Sequence, residues 1–86
     1  MPKPKPHGYA DLLRAFGDRV RSLRRKRNWT QEDLAAKADM DRTFIADIER
    51  GKRNLTLAYI AGLAAAFDLT LARLFSGVSA KVDPKD

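Results

Sequence analysis

Arg42, Thr43, Ala46 and Asp47 share one side of any helix drawn through them. Together they make a helix face with a guanidinium, a hydroxyl and a carboxylate free for polar contacts, while Phe44, Ile45 and Ile48 of the same stretch point the other way. Lys52, Arg53 and Asn54 follow in a polar stretch whose amides and cations suit phosphates. Upstream, Arg24-Arg25-Lys26-Arg27 crowds four cations at the end of a helical pattern. Some of these can complement the helix dipole, and others, Arg25 among them, can reach phosphates. Catalytic groups are scarce. The chain has no cysteine, which excludes thiolate metal sites, and its one histidine, His7, gives a nucleophile–histidine set poor support. Glu32, Asp33, Asp39 and Asp41 lie close together but are explained more simply as helix-terminal groups. No enzyme, metal or cofactor is expected.

The elements that must hold these side chains come from Thr30–Gly51, TQEDLAAKADMDRTFIADIERG. Thr30 is an N-cap, and Asp33 three positions on completes a variant capping box. Leu34, Ala35 and Ala38 fall on one helical face. Asp39-Met40-Asp41 interrupts the helix, and Asp41 is a good cap for a second one starting at Arg42. That helix turns Phe44, Ile45 and Ile48 toward a core and ends near Gly51, suited to a left-handed position. Two short capped helices joined by a tight turn form a helix-turn-helix, whose second helix lies in the DNA major groove.

The 86 residues bound one domain with a small core, so dimerisation is expected. No apolar run approaches membrane-spanning length, and the start lacks a secretory h-region, so a cytoplasmic, nucleoid-associated protein is expected. The net charge of +6 is uneven. Residues 1–53 carry 14 Lys/Arg against 8 Asp/Glu, while residues 54–86 carry 3 of each. All the excess lies on the half that holds the reading helix, as a polyanion partner would require.

Three segments follow from composition. Residues 1–8 form a disordered basic Pro/Lys arm, residues 9–78 the helix-turn-helix domain, and residues 79–86 a flexible tail. A long helix over 9–27 buries Leu12 or Leu13, Phe16, Val20 and Leu23. Gly17 sits where another helix approaches, Asn28 takes a left-handed conformation, and Trp29 is partly buried before the cap. Thr56 caps a helix to about Phe67, with Leu57, Ile60, Ala61, Ala64 and Phe67 as its core face. Thr70 caps a last short helix, Leu71 to Phe75. Tyr59, Leu63, Leu71, Leu74, Phe75 and Val78 are then surplus apolar groups at the neutral end and form the expected dimer contact.

TQEDLA and IERGKRN at this spacing, within roughly residues 12–77, resemble the phage-repressor and Cro class of helix-turn-helix domains, often called the XRE family. RTFIADIERGKRN looks particularly like the controller proteins of restriction–modification systems. The resemblance implies an all-α, compact five-helix bundle that binds operator DNA as a homodimer. It implies that Gln31 binds a phosphate and braces the reading helix. It implies base reading by Arg42, Thr43, Ala46 and Asp47, with Asp47 accepting from cytosine or orienting Arg42 or Arg50. Arg50 joins Arg25, Lys52, Arg53 and Asn54 among the phosphate contacts. Arg24 and Glu49 match a buried salt bridge between the first and third helices. Glycine is usual in the family where Asn28 and Asp39 stand, and proline where Leu55 stands.

The leading expectation is therefore a sequence-specific transcriptional regulator on a pseudopalindromic operator, with double-stranded DNA and RNA polymerase as partners, controlling a restriction–modification operon. The alternative is an antitoxin-like interaction module whose C-terminal apolar surface binds a partner protein.

Overall fold

The computed structural model describes residues 6–79, with side chains from residue 9. Five helices follow in order: α1 (Pro6–Lys26), α2 (Gln31–Ala38), α3 (Arg42–Glu49), α4 (Leu57–Ala66) and α5 (Leu71–Leu74). No strand occurs among the described residues. α1 starts at Pro6 rather than residue 9 and so takes in residues 6–8 of the expected arm. A proline suits a first helical position, where its missing N–H has no partner to lose. Residues 1–5 of that arm and 80–86 of the expected tail lie outside the described residues.

Caps set the helix starts. The Thr30, Thr56 and Thr70 hydroxyls accept from the N–H groups of Asp33, Tyr59 and Arg73 at 3.0, 3.3 and 3.1 Å. Asp33 returns the bond, accepting from Thr30 N–H at 2.8 Å, which completes the capping box. Asp41 stands at the N-cap of α3 but makes no side-chain bond there. Its charge still sits at the positive end of the helix dipole.

One device ends α1 through α4. Asn28, Asp39, Gly51 and Asp68 take positive φ angles of 58°, 55°, 72° and 56°. The next N–H bonds back over the last turn each time: Trp29 to Arg24 O (3.1 Å), Met40 to Ala35 O, Lys52 to Asp47 O and Leu69 to Ala64 O (each 2.9 Å). This is the Schellman arrangement, filled three times of four by Asn or Asp, whose short polar side chains tolerate left-handed geometry at modest cost.

The core gathers Phe16, Val20 and Leu23 from α1, Leu34 and Ala35 from α2, Ile45 and Ile48 from α3, and Leu63, Ala64, Phe67 and Leu74 from the C-terminal part. α1 approaches α3 closely at Gly17. A Cβ there would stand 2.4 Å from Ile48 O and 2.7 Å from Glu49 O, both backbone atoms at the end of α3. Gly17→Ala should therefore push α3 away from α1. Overpacking of this kind costs about 1–3 kcal/mol. A thermal melt showing no lower midpoint for the alanine variant would deny the close approach.

α4 corrects the expected core face. Leu63 is fully buried, while Leu57 is 78% exposed and Ala61 is also exposed. LAYIAGLAAA is apolar on every side, so its periodicity selects no face. Leu74 is likewise fully buried, plugging the core from the single turn of α5. Arg19 anchors that turn to α1, donating from Nε to Leu74 O at 3.0 Å and from Nη2 to Arg73 O at 2.7 Å. Leu63 and Leu74 thus belong to the interior and present no surface to a second copy.

Candidate nucleic-acid interface

Glu49, the last residue of α3, organises the polar side of the motif. Its carboxylate is wholly enclosed by the protein and receives four donors. Arg24 supplies two, Nε to Oε2 at 2.7 Å and Nη2 to Oε1 at 3.0 Å. Gln31 Nε2 and Arg21 Nε reach Oε1 at 3.2 and 3.4 Å. Burial alone would push the Glu49 carboxyl up. The bonds from Arg24 and Gln31, the Arg24 charge and the Arg21 bond outweigh burial and hold it below its ordinary value. Arg24 also donates from Nη1 to Trp29 O at 2.8 Å, tying the end of α1 to the entry of α2.

The Gln31 amide carries this order outward. Its Oε1 accepts from Arg42 Nη1 at 3.3 Å. A chain of bonds therefore runs from the enclosed Arg24–Glu49 pair through Gln31 to an exposed arginine on the first turn of α3. Thr43 is exposed beside Arg42, and Ala46 is partly covered one turn on. The helix itself is seated by Ile45 and Ile48, which are at most 2% exposed.

Asp47 makes a second cluster. One carboxylate oxygen pairs with Arg50, and the other lies 3.3 Å from both Nε and Nη2 of Arg53. The Arg50 bond, aided by the charges of Arg50 and Arg53, holds the Asp47 carboxyl below its ordinary value against a smaller opposing effect of burial. Of the two arginines suggested for Asp47 to orient, the structure joins it to Arg50 and not to Arg42. Arg53 also stacks over the Phe44 ring at 4.9 Å, and Phe44 tilts against Tyr59 with ring centres 4.9 Å apart.

The basic run at the end of α1 divides by role. Arg24 is engaged as described. Arg27 donates to Phe67 O at 2.9 Å and lies 5.0 Å over the Phe67 ring, which itself stacks on Trp29. Arg25 and Lys26 are exposed and share a shallow cleft with Asp18, Arg21 and Ser22. Lys52 and Asn54 are exposed on the loop after α3. The structure joins Gln31 and Arg42 in one network and Asp47, Arg50 and Arg53 in another. Arg25 belongs to neither.

Of the expected dimer groups, Tyr59 and Leu71 are each 46% exposed and Phe75 37%, while Val78 is partly covered. Phe75 packs on Phe16 with ring centres 5.1 Å apart, beside a shallow cavity lined also by Leu12, Leu13, Leu55 and Ile60. Leu57 was missed as a surface group and Arg21 as a Glu49 donor. Arg21 was detectable, because it precedes Arg24 by three and so shares its helix face. Among the described residues, no group of three or more His, Cys, Asp or Glu could hold a metal ion. Nor is any described helix long and apolar enough to cross a membrane.

A sequence model described as helix-turn-helix matches residues 20–74, from the last third of α1 to the end of α5. The chain belongs to the helix-turn-helix family. Within it, this helix-turn-helix protein is similar to control protein C.MunI from Mycoplasma sp, with 39% identity over 69 residues, 79% of this chain and 93% of that protein. It is also similar in structure to the restriction–modification controller C.AhdI from Aeromonas hydrophila. The TM-score is 0.72 at 43% identity, covering 78% of this chain and all of that one. A third likeness is to the controller C.Esp1396I, solved as a tetramer on its natural 35 base-pair operator. The TM-score is 0.71 at 34% identity, covering 76% of this chain and 86% of that one. The family is one of DNA-binding transcription regulators and not of enzymes.

Proposed function

We propose that this protein is a sequence-specific DNA-binding transcriptional regulator that acts as a homodimer on a pseudopalindromic operator and controls a restriction–modification operon. The observation that carries the reading is Arg42. It is an exposed fork of donors on a rigidly seated helix, held through Gln31 to an enclosed carboxylate. Two copies of α3 related by a twofold axis would enter successive major grooves about 34 Å apart. Arg42 and Thr43 read base edges, Ala46 lies against the groove floor, and Asp47 stands at the rim. Gln31, Arg25, Arg50, Lys52, Arg53 and Asn54 hold phosphates. The likeness to controllers supports the operon, and the neutral apolar end supports the dimer. RNA polymerase, excluded or recruited at the operator, is the protein partner, and the nucleoid is the site of action.

A mobility shift on the DNA upstream of the protein's own reading frame tests this. A discrete complex that survives excess unrelated duplex is expected. Loss of the complex to competitor in proportion to its mass would contradict it.

The dimer contact is assigned to Leu71 and Phe75, with Val78 and Tyr59 as further members and the exposed Leu57 added. Leu71→Glu is the cleaner test, because Leu71 is exposed whereas Phe75 also packs on Phe16. The variant should sediment as a folded monomer at micromolar concentration and bind its operator more weakly. A dimer of unchanged stability would place the contact elsewhere.

A further inference from the structure

Asp47 is an acid on the face that should meet a polyanion, and base reading does not account for its bonds. Each of its oxygens serves a different arginine, Arg50 at the C-cap of α3 and Arg53 in the loop beyond. Arg53 is held from a second side by the Phe44 ring at 4.9 Å. Arg50 and Arg53 themselves remain about half exposed, at 56% and 48% of their side chains, while Asp47 keeps 19%. The carboxylate is thus tucked behind two guanidinium groups that face outward.

Resting on the regulator reading, we propose that Asp47 is a positioning and specificity-determining residue: it clasps Arg50 and Arg53 so that they meet phosphates in one fixed arrangement, and it penalises duplexes that cannot accept that arrangement. The physical reason is a competition. An arginine released from Asp47 is a mobile cation that follows any phosphate backbone, which strengthens binding without regard to sequence. A clasped arginine has already given up much of its rotamer freedom. Only a duplex whose phosphates lie where the clasped pair points gains the contact without breaking an ion pair. At the operator, with α3 seated in the groove, that condition holds. On unrelated DNA it does not.

The test is Asp47→Asn, read as affinity for operator and for an unrelated duplex over a salt series, with a thermal melt to confirm folding. Non-specific affinity should rise about threefold or more at ~50 mM salt, with a log–log salt slope steeper by about one. Operator affinity should rise less, so the ratio of specific to non-specific binding falls. In an Arg50→Gln, Arg53→Gln background the same substitution should leave slope and ratio nearly unchanged.

Weaker operator binding with unchanged non-specific affinity and slope would make Asp47 a direct base reader and overturn the clasp. An equal gain in the double-glutamine background would reduce the effect to the loss of one negative charge and also overturn it. So would no change at all. Failure of the regulator reading looks different, because the unaltered protein would then prefer no sequence, while the slope change on unrelated duplex would still report the clasp.

Discussion

Glu49→Ala should lower stability by about 3 kcal/mol or more, the largest effect of any exchange on the polar face. The carboxylate is wholly enclosed and answers Arg24, Gln31 and Arg21 together. Removing it leaves the Arg24 guanidinium, whose side chain is only 11% exposed, with Trp29 O as its remaining partner. An uncompensated buried charge is what makes a broken ion pair costly, even where the intact pair contributes little net stability. In a domain of this size the thermal midpoint should fall by about 12 °C or more. The Arg42–Gln31 bond should loosen as well, because Gln31 loses the group it leans on, so operator binding should weaken in the fraction that stays folded. A midpoint within about 2 °C of the unaltered protein would show that the pair is dispensable.

The same carboxyl sets an acid limit. Its folded-state value is depressed below the ordinary glutamate value, so its contribution to stability is complete above that ordinary value. The contribution is lost as pH falls through the lower, folded-state value. Unfolding free energy from denaturant melts should therefore drop across this acidic window. In Glu49→Gln the drop should be shallower, since the proton-binding difference between the two states is gone.

Arg42→Ala should cost about 1–3 kcal/mol of operator affinity, roughly five- to 150-fold in Kd, while the fold is kept. Arg42 is exposed, and its bond to Gln31 is the outermost link of the network, so its loss leaves Gln31 on Glu49 and the core untouched. The thermal midpoint should barely move. Specificity should relax at one base pair of each half-site, since a bidentate fork is lost there. A phosphate contact alone would behave differently, weakening all sequences alike and flattening the salt slope by about one. That second pattern would remove Arg42 from the reading set.

Much of this was legible before any coordinate. Threonines at the helix starts, Asn28, Asp39 and Gly51 at the ends, and a buried stripe on α1 are local signals, and local chemistry enforces them. Gly17 was legible as a close approach because nothing else excuses a glycine inside a helix. What failed was the assignment of faces on α4 and α5. Leu63 and Leu74 were expected at the surface and are core, while Leu57 and Ala61 were expected in the core and are exposed. A segment that is apolar all round carries no amphipathic cue, and only its tertiary neighbours choose a side. The Arg24–Glu49 pair came from the family resemblance. The partners of Asp47 lie three and six residues away: Arg50 stands at helical i,i+3 spacing and so was within reach of a local reading, whereas Arg53 is brought back only by the turn at Gly51. Asp68 went unread as a helix end because its left-handed geometry is more familiar in glycine.

Selection of binding sites from random duplex DNA at two salt concentrations bears most directly on sequence-specific, dimeric DNA recognition. The expected product is a pseudopalindrome with half-sites about one helical turn apart, still enriched at the higher salt. Salt-sensitive binding with no recovered consensus would contradict it, leaving the basic face as a holder of phosphates and nothing more.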